Sequence, residues 1–333
     1  MNQKELYLWG KSELTKKSIQ ESSIKARKLL EFVLKQTRSQ TICNELEEVS
    51  LEKQKEYEKQ IEKIKQGMPI QYITHVQEFM GLEFYVDGNV LIPQPDTEIV
   101  VETALQILNN KICFYNGTNT KKENKTKRTE SKNETNHKKI VILDLCTGSG
   151  CIGISLAKNI KLEKENNQNE NENLKNDFQE NLKENFKVIL SDIQKQALLI
   201  AQKNAVKHKV QEKVQTIQSN LFEKLEKYQF DMIISNPPYI ETSEIQTLSK
   251  EVQQEPKIAL DGGKNGLLFY HKILNEAFFY LRQNGYLVLE IGYNQADAIL
   301  KIADQTKKWK IVTLQAIKDL GGNDRVLVFQ KEE

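Results

Sequence analysis

The sequence predicts an α/β protein whose main domain is a mostly parallel, doubly wound sheet with helices on both faces. Three observations predict this fold. From residue 139 onward, apolar runs of strand length alternate with runs whose apolar residues recur at helical spacing. The last two strand-like runs, 309–320 and 324–331, follow each other without a helix, which predicts one antiparallel strand at the end of the sheet. Residues 1–66 contain helical patterns alone, which predicts a small N-terminal α-helical domain.

The composition sets limits on the class of protein. A chain of 333 residues is long enough for one large domain and one small domain with a sizeable core. Its 48 basic and 46 acidic residues nearly balance, so no global field favours nucleic acid. The four cysteines form neither a CxxC pair nor a Cys/His cluster, so we expect no metal. The N-terminus lacks an apolar signal core, and no run approaches membrane-spanning length; we expect a soluble, cytoplasmic protein without a membrane partner.

The N-terminal helices follow from the spacing of their apolar residues. Residues 23–36 place apolar side chains on one helical face. A second helix is expected to begin after Ser50 as its N-cap and to end at Gly67 and Pro69. We expect these apolar stripes to form the core of a domain spanning residues 1–77.

A linker over residues 78–98 is expected to join the two domains. Within it, residues 79–92 predict a β-hairpin, because Asp87-Gly88 offers two residues that tolerate positive φ between β-rich runs. The run Pro93-Gln94-Pro95-Asp96-Thr97-Glu98 follows. Either Asp96 or Thr97 is expected to cap the next helix.

Two polar segments interrupt the sheet domain, which is expected over residues 99–333. Residues 116–138 and 161–185 are mainly Asn, Lys, Glu and Thr. They contain too few apolar residues to offset the conformational entropy of an ordered chain. We expect both to be disordered surface insertions, with partner-binding loops as the alternative.

A glycine-rich loop, Asp144-Leu145-Cys146-Thr147-Gly148-Ser149-Gly150, follows the first strand of the sheet and opens a helix. Open α/β sheets bind ligands at the carboxyl ends of their strands, so this loop is a candidate cofactor site. Residues 148–153 also fit the dinucleotide fingerprint, which keeps a nicotinamide enzyme open. The carboxylate of Asp144 would repel a pyrophosphate but suits an ammonium and a sulfonium, which favours S-adenosylmethionine. A cap on the following turn is the alternative role for Asp144.

Polar residues are also expected at the ends of the next two strands. Asp192 lies 48 positions after Asp144, and removing the 25-residue insertion leaves 23. This is close to the roughly 20 residues that separate a glycine loop from a ribose-binding carboxylate. We therefore predict that Asp192 accepts hydrogen bonds from the ribose hydroxyls. Asn220-Leu221 are placed to meet the adenine edge, with a simple turn as the alternative.

Asn236-Pro237-Pro238-Tyr239 follows a short apolar strand and carries the strongest chemical signal. Neither proline can donate to a sheet ladder, so the two prolines suit a rigid exit from the strand. An amino or amide nitrogen on a planar group is a poor nucleophile, because its lone pair is delocalised. The Asn236 side-chain oxygen and the Pro237 carbonyl are expected to accept its hydrogens, with Tyr239 stacked on the planar group. This predicts a methyltransferase acting on a planar nitrogen; a bare Asn-Pro turn is the alternative.

Taken together, the motifs resemble the HemK/PrmC-type protein-(glutamine-N5) methyltransferases that modify release factors. The resemblance covers nearly the whole chain except the two insertions. Its motifs are Gln71-Tyr72-Ile73, Glu78-Phe79, 91–98, 144–150, 236–240, Glu255-Pro256, 259–263, Gly266-Leu267, Glu290-Ile291-Gly292 and Asp324-Arg325-Val326. It implies a helical N-terminal domain, a hairpin linker and a seven-stranded Rossmann-like methyltransferase sheet. Because a release factor is a large protein, we expect the helical domain to add docking surface, with simple capping of the catalytic domain as the alternative. The resemblance further implies methyl transfer from S-adenosylmethionine to the glutamine side-chain amide of the Gly-Gly-Gln loop of peptide chain release factors, leaving S-adenosylhomocysteine.

The resemblance also assigns site residues by position. Cofactor contacts are implied at Cys146, Thr147, Gly148, Ser149, Gly150, Asp192, Asn220 or Leu221, and Asn236. Substrate contacts are implied at Asn236, Pro237, Pro238 and Tyr239. The chain departs from the family pattern at two positions, with Gln94 where arginine is common and Asn220 where aspartate is usual.

Three other functions stay open. An adenine-N6 or cytosine-N4 methyltransferase of nucleic acid would need a basic recognition region, for which residues 116–138 are the only candidate. A non-catalytic partner-binding protein would have no need of Asp144, Asp192 and Asn236. A dehydrogenase would have to bind a nicotinamide cofactor.

Overall fold

A computed structural model describes residues 1–120, 139–160, 186–313 and 315–332. The predicted insertions therefore lie outside the described residues, except that residues 116–120 continue a helix. The chain divides into two compact units, which we call the helical unit and the sheet unit. The helical unit comprises Met1–Gln77, Tyr85–Ile92 and Glu244–Lys257. The sheet unit comprises Glu78–Phe84, Pro93–Ser243 and Ile258–Glu333.

Short amphipathic helices build the helical unit. They are α1 (Gln3–Lys16), α2 (Ser22–Leu34), α3 (Arg38–Cys43), α4 (Leu51–Lys65) and α5 (Ile70–Thr74). Ser50 caps α4 as predicted, since its side chain accepts a hydrogen bond from the Lys53 amide. Their apolar faces enclose a core that includes Leu29, Tyr57 and Ile61. Gly10 has no side chain there for a physical reason: a Cβ would lie 2.2 Å from the Tyr57 hydroxyl oxygen.

The segment Glu244–Lys257 is held to the rest of the helical unit by two buried polar contacts. The Lys25 ammonium, on α2, forms an ion pair with the Glu251 carboxylate. The Glu255 carboxylate accepts a hydrogen bond of 2.9 Å from the backbone amide of Ile92. Burial raises the pKa of Glu255 to about 7, although the bond from Ile92 lowers it.

The β-hairpin has its turn at a different place from the one predicted. Strands β1 (Gln77–Phe79) and β2 (Leu82–Phe84) pair with each other, and Met80-Gly81 joins them. Met80 and Gly81 have φ values of 52° and 68°, as a two-residue hairpin turn of the mirror-image type requires. The prediction that Asp87-Gly88 forms the turn of the hairpin was therefore wrong, although a turn does form there, since the Val90 amide donates to the Asp87 carbonyl at 3.1 Å. The Asp87 carboxylate instead accepts from the Asn89 amide at 2.9 Å in a local side-chain turn.

The sheet unit contains one large sheet. Its strands are β3 (Ile140–Leu145), β4 (Phe186–Asp192), β5 (Val214–Gln218), β6 (Phe230–Ser235), β7 (Leu281–Glu290), β8 (Trp309–Ile311), β9 (Ile317–Lys318) and β10 (Asp324–Lys331). In the described part of the chain they lie in the order β5-β4-β3-β6-β7-β10-β8, with β9 also on β10. The first five strands in this order, β5, β4, β3, β6 and β7, run parallel to one another. Strand β10 runs antiparallel to β7. This confirms the predicted mostly parallel α/β fold with one antiparallel strand, although the described sheet has eight strands where seven were implied.

The predicted strand over residues 309–320 is divided into β8 and β9. Both pair with β10, and the register shifts between Asp324 and Val326 beside β9. Directly after β8, the Thr313 hydroxyl accepts from the Val328 amide at 3.0 Å. A backbone partner is thus replaced by a side chain, which ends β8 early.

Helices cover both faces of the sheet. They are α6 (Glu98–Thr120), α7 (Cys151–Asn159), α8 (Lys195–Lys207), α9 (Lys257–Leu260), α10 (Leu268–Tyr280) and α11 (Ala296–Thr306), with a short 3₁₀ turn at Pro95–Thr97 before α6. Successive strand residues point to opposite faces: Ile142 packs in the core with α6, α7 and α8, whereas Leu143 packs in the core with α10 and α11. No helix among the described residues is long and apolar enough to cross a membrane.

The strand order reverses at β3, which has β4 on one side and β6 on the other. Such a reversal opens a crevice at the carboxyl ends of the two central strands. Here Leu145 at the end of β3 lies opposite Ser235 at the end of β6. The Ser235 hydroxyl donates to the Leu145 carbonyl at 2.8 Å, which fixes the two strand ends side by side.

Candidate active site

The glycine loop and the Asn-Pro-Pro-Tyr motif leave the sheet next to each other. Residues 146–150 continue from Leu145, and residues 236–239 continue from Ser235, which is its partner in the parallel pair. The structure therefore brings together two motifs that are about ninety positions apart in the sequence. The loop lies where a switch-point ligand is expected to bind.

The conformation of the glycine loop depends on its glycines. Gly148 and Gly150 have positive φ values of 54° and 82°. At Gly150 a Cβ would lie 2.8 Å from Ile154 Cδ1 and 3.1 Å from Ala201 Cβ, so a larger residue meets both strain and a steric clash. At Gly148 a Cβ would meet nothing within 4 Å, so its backbone faces open space. Gly148 thus leaves room for a ligand beside the loop.

Asp144 is fully buried and holds the loop against α7. Its Oδ2 accepts from the Thr147 hydroxyl at 2.6 Å and from the Gly153 amide at 2.9 Å. Burial raises the pKa of Asp144 to about 7, while both hydrogen bonds lower it. Oδ1 has no hydrogen-bond partner within the described ranges. These contacts are those of the capping role that was the alternative for Asp144; its attraction to a ligand cation stays a prediction.

Asp192 lies directly beside the glycine loop. Its Oδ2 accepts from the Gly148 amide at 2.9 Å, and its Oδ1 accepts from the Gln194 amide at 2.8 Å. Burial raises the pKa of Asp192, and the bonds from these amides oppose that shift. The Thr147 amide also donates to the Ser191 carbonyl at 3.0 Å, which ties the loop to β4. A half-buried carboxylate therefore borders the open space at Gly148.

Asn220 and Leu221 lie just beyond β5, which ends at Gln218 and not at Asn220 as predicted. Asn220 is exposed, and its side-chain nitrogen donates to Glu223 at 2.6 Å. Leu221 is buried with φ of 47°. Their contact with an adenine ring stays a prediction.

The backbone after the two prolines is supported by tight packing. Pro237 and Pro238 are buried, while Asn236 and Tyr239 are partly exposed. The Tyr239 carbonyl accepts from the Gln295 side chain at 3.0 Å. A Cβ on Gly266 would lie 2.3 Å from that carbonyl oxygen, so only glycine allows this approach.

The next residue of the motif continues this support. The Ile240 amide donates to the Leu260 carbonyl at 3.0 Å, and the Ile240 carbonyl accepts from Gly262 at 2.8 Å. The run 259–263 is thereby explained as the backbone partner of the motif. Together with Gln295, it fixes the exit of the chain from β6.

Behind Asn236 lies a polar cluster that the sequence reasoning did not assign. The Asn236 Nδ2 donates to the Thr97 hydroxyl oxygen at 3.4 Å. Burial raises the pKa of Glu290 to about 7, and interactions with Thr97 and Asn236 lower it. Arg325 is close enough to lower that pKa further, and it forms ion pairs with Asp96 and Asp319.

Sequence reasoning missed the roles of Thr97, Glu290, Arg325 and Gln295. The first three occur in motifs that carried the resemblance, and those motifs were the only available signal for them. For Gln295 the sequence offered none. A search of the described ranges finds no group of three or more His, Cys, Asp or Glu side chains placed to hold a metal ion.

Known proteins match this chain at both ends. The family model described as PrmC N-terminal domain matches residues 5–74, and the one described as Methyltransferase small domain matches residues 178–301. A release factor glutamine methyltransferase of Clostridium botulinum is 34% identical over 98% of this chain and 99% of its own length. One of Fusobacterium nucleatum is 35% identical over 90% of this chain and 70% of its own.

A bifunctional methyltransferase of Rickettsia felis is 34% identical over 95% of this chain but 56% of its own length. Among solved structures, a methyltransferase of Pyrococcus furiosus aligns with a TM-score of 0.47 and 17% identity, covering 83% of this chain and 99% of its own. That structural likeness is too low to carry weight beside the sequence relatives. Because the Clostridium botulinum protein is matched at 34% identity over nearly its whole length, the chain belongs to the release factor glutamine methyltransferase family.

Proposed function

We propose that the chain transfers the methyl group of S-adenosylmethionine to the side-chain amide nitrogen of the glutamine in the Gly-Gly-Gln loop of a peptide chain release factor. S-adenosylhomocysteine is the second product. The observation that carries the proposal is the pairing of Leu145 with Ser235, which places the glycine loop beside Asn236. The names of the full-length relatives supply the substrate class.

The residues at the glycine loop fit the cofactor. The open space at Gly148 and the carboxylate of Asp192 suit the nucleoside part, because a carboxylate accepts hydrogen bonds from a ribose diol. The backbone of Cys146 to Gly150 would line the rest of the ligand, with Asn220 or Leu221 at the adenine. When bound, the cofactor supplies a methyl group made electrophilic by the adjacent sulfonium.

The Asn-Pro-Pro-Tyr motif acts on the glutamine amide. The side-chain oxygen of Asn236 and the carbonyl of Pro237 accept the two amide hydrogens and so orient the nitrogen. Both acceptors are better matched to the nitrogen once positive charge develops on it, which lowers the barrier. Tyr239 stacks on the planar amide, and Pro238 keeps the loop rigid. The extra proton leaves after transfer, so no general base is required.

The predicted domain organisation belongs to the same proposal. Residues 1–77 dock the release factor, residues 78–98 form the linker, and residues 99–333 carry out the transfer. A cytoplasmic location, where release factors act on ribosomes, is part of it too.

The test is to incubate the chain with isotopically labelled S-adenosylmethionine and a purified release factor, and then to map the label by mass spectrometry. We expect label on the glutamine side chain of the Gly-Gly-Gln loop and none on a release factor in which that glutamine is replaced by asparagine. Asn236→Ala should lower kcat by about 10²–10³.

A matched control is Asn275→Ala, because the Asn275 side chain is exposed and, among the described residues, donates only to the His271 carbonyl of its own helix. This variant should behave as the parent. Label on DNA or RNA in place of the release factor would instead establish the adenine or cytosine methyltransferase.

A further inference from the structure

The side-chain amide of Asn236 can point in two ways, and the two ways differ chemically. An asparagine amide has one acceptor, Oδ1, and two donor hydrogens on Nδ2. The proposed function, on which the following inference rests, requires Oδ1 to face the glutamine. Whatever fixes the direction of this amide therefore decides whether the site accepts or repels the substrate hydrogens.

The groups behind Asn236 are matched to Nδ2 and not to Oδ1. The Thr97 hydroxyl oxygen receives a hydrogen from Nδ2 at 3.4 Å. Ser235 at the end of β6 lies opposite Leu289 on β7, so Asn236 and Glu290 leave neighbouring strands side by side. The Glu290 carboxyl interacts with both Thr97 and Asn236, which lowers its pKa. A carboxylate only accepts, so the hydrogens come from the Thr97 hydroxyl and from Nδ2. In this arrangement the Thr97 hydroxyl and Nδ2 both face acceptors, and Oδ1 is the remaining polar atom of the amide. Among the described residues, Oε2 of Glu290 has no hydrogen-bond partner, so the carboxylate keeps a buried acceptor on this side of Asn236.

Burial makes this arrangement restrictive. Glu290 is 2% exposed and Thr97 is 2% exposed, so water does not compete for their bonds. Turning the amide over would place Oδ1 against a carboxylate and leave a hydrogen-bond acceptor without a donor beside a buried group. The Glu290 charge also polarises the amide, which increases the negative partial charge on Oδ1.

We propose that Glu290 is a positioning residue that acts through Thr97 and Asn236, holding Nδ2 inward so that Oδ1 accepts the hydrogen of the methylated nitrogen. Neither Glu290 nor Thr97 touches the substrate. Their contribution lies in the orientation and polarity of Asn236.

The ionised form of Glu290 is the active one in this scheme. A protonated carboxyl has a donor of its own, which can bond to Oδ1 and release the amide from its single orientation. Burial and Asp96 raise the pKa of Glu290 to about 7, and Arg325 lowers it. The charge of Glu290 also helps to raise the pKa values of Tyr239, Tyr270 and Cys151. Transfer should therefore weaken as the pH falls below about 7.

Three variants test the positioning role. Glu290→Gln keeps the shape but removes the charge, and it introduces a donor opposite Asn236. Thr97→Val removes the hydroxyl, whereas Thr97→Ser keeps it. We expect Glu290→Gln and Thr97→Val to lower kcat roughly 10- to 100-fold, as misorientation of a reacting contact does. KM for the release factor and affinity for S-adenosylmethionine should stay within about twofold, and Thr97→Ser should restore most of kcat.

The pH profile separates positioning from mere stability. Wild-type kcat should fall tenfold per pH unit below about 7, and the Glu290→Gln profile should lose this limb. Equal kcat and an unchanged profile in Glu290→Gln would overturn the proposal. If Glu290→Gln fails to fold, Thr97→Val against Thr97→Ser decides, and equal kcat for these two variants overturns it as well.

A readout without substrate distinguishes this proposal from the proposed function. The ¹⁵N side-chain signal of Asn236, assigned by its loss in Asn236→Ala, should titrate near pH 7 in the wild type and stay constant in Glu290→Gln. A titrating signal in a protein that fails to methylate the release factor would support the positioning role while ending the proposed substrate. An Asn236 signal that does not respond to pH would end the positioning role.

Discussion

The carboxylate of Asp192 accepts a hydrogen bond from the backbone amide of Gly148 at 2.9 Å. This contact joins the end of β4 to the centre of the glycine loop, although a polar insertion separates them in the chain. It gives Asp192 a structural task as well as a place beside the proposed cofactor.

Replacing Asp192 with alanine should weaken binding of S-adenosylmethionine. The variant loses an acceptor for the ribose and the hydrogen bond that fixes Gly148. Loss of a charged hydrogen bond is worth about 1.5–3 kcal/mol, so we expect a Kd raised by about 10- to 100-fold in titration calorimetry. The control is Asp304→Ala on the exposed side of α11, which should leave Kd unchanged. Equal affinity of both variants would remove Asp192 from the cofactor site.

Gly150→Ala should destabilise the sheet unit. At φ of +82° an L-residue is strained, and its Cβ would clash with Ile154 and Ala201. We expect a loss of about 1–3 kcal/mol in the free energy of unfolding, measured by urea denaturation. Gly148→Ala shares the backbone strain without the clash and should lose less, while Gly88→Ala meets neither and should be nearly neutral. A Gly150→Ala variant as stable as Gly88→Ala would contradict the packing at the start of α7.

Asp144→Asn should gain stability relative to the wild type as the pH rises. The pKa of Asp144 is raised from 3.8 to about 7 by burial, so the folded state holds its proton where the unfolded chain has lost it. Its neutral form stabilises the fold fully below about pH 4, and this contribution is lost progressively up to about pH 7.

The Asp144→Asn variant lacks this titration. The difference in unfolding free energy between the two proteins should therefore shift by on the order of 1 kcal/mol per pH unit in that window. If the unfolding free energies of the two proteins changed in parallel with pH, the pKa of Asp144 would be the same in the folded and unfolded states. Comparison with this variant cancels the similar titrations of Glu255 and Glu290, whose pKa values are also raised to about 7.

Breaking the ion pair of Lys25 and Glu251 should lower the free energy of unfolding of the helical unit. The Lys25 side chain is 9% exposed, so removal of Glu251 leaves a nearly buried ammonium without its carboxylate. We expect Glu251→Gln to cost about 1–3 kcal/mol and a double-mutant cycle with Lys25→Met to recover part of it. The matched control is the exposed pair Lys4 and Glu45, whose cycle should give less than about 1 kcal/mol. Equal coupling in both cycles would contradict a special role for the buried pair.

The sequence predicted the sheet well because the residue patterns that identify β strands and helices are local. The first strand of the sheet leads into the glycine loop and α7 begins directly after it, as predicted, since apolar periodicity and glycines act over a few residues. The hairpin turn failed for a related reason. Two residue pairs, Met80-Gly81 and Asp87-Gly88, could each have formed the hairpin turn. The pairing of the strand that contains Phe79 with the strand after Met80-Gly81 selected the first, through contacts that local turn residues do not reveal.

The site residues could be predicted only where a short local motif indicates their chemistry. Asn236 was found because two prolines follow it. Glu290 was not, because an acidic residue at the end of an apolar strand gives no sign of the amide it faces. Its partnership with Thr97 joins residues almost two hundred positions apart, and only the folded sheet brings them together.

The membership of Glu244–Lys257 in the helical unit has a consequence for biosynthesis. As the chain leaves the ribosome, the first helices emerge long before the carboxylates of Glu251 and Glu255. Lys25 and the Ile92 amide can form their contacts with these carboxylates only after β3, β4, β5 and β6 have been synthesised. The helical unit is therefore completed late, after β6 and the Asn236 that follows it have been translated. A nascent chain stalled before residue 244 should expose the unfinished helical unit to proteases and chaperones.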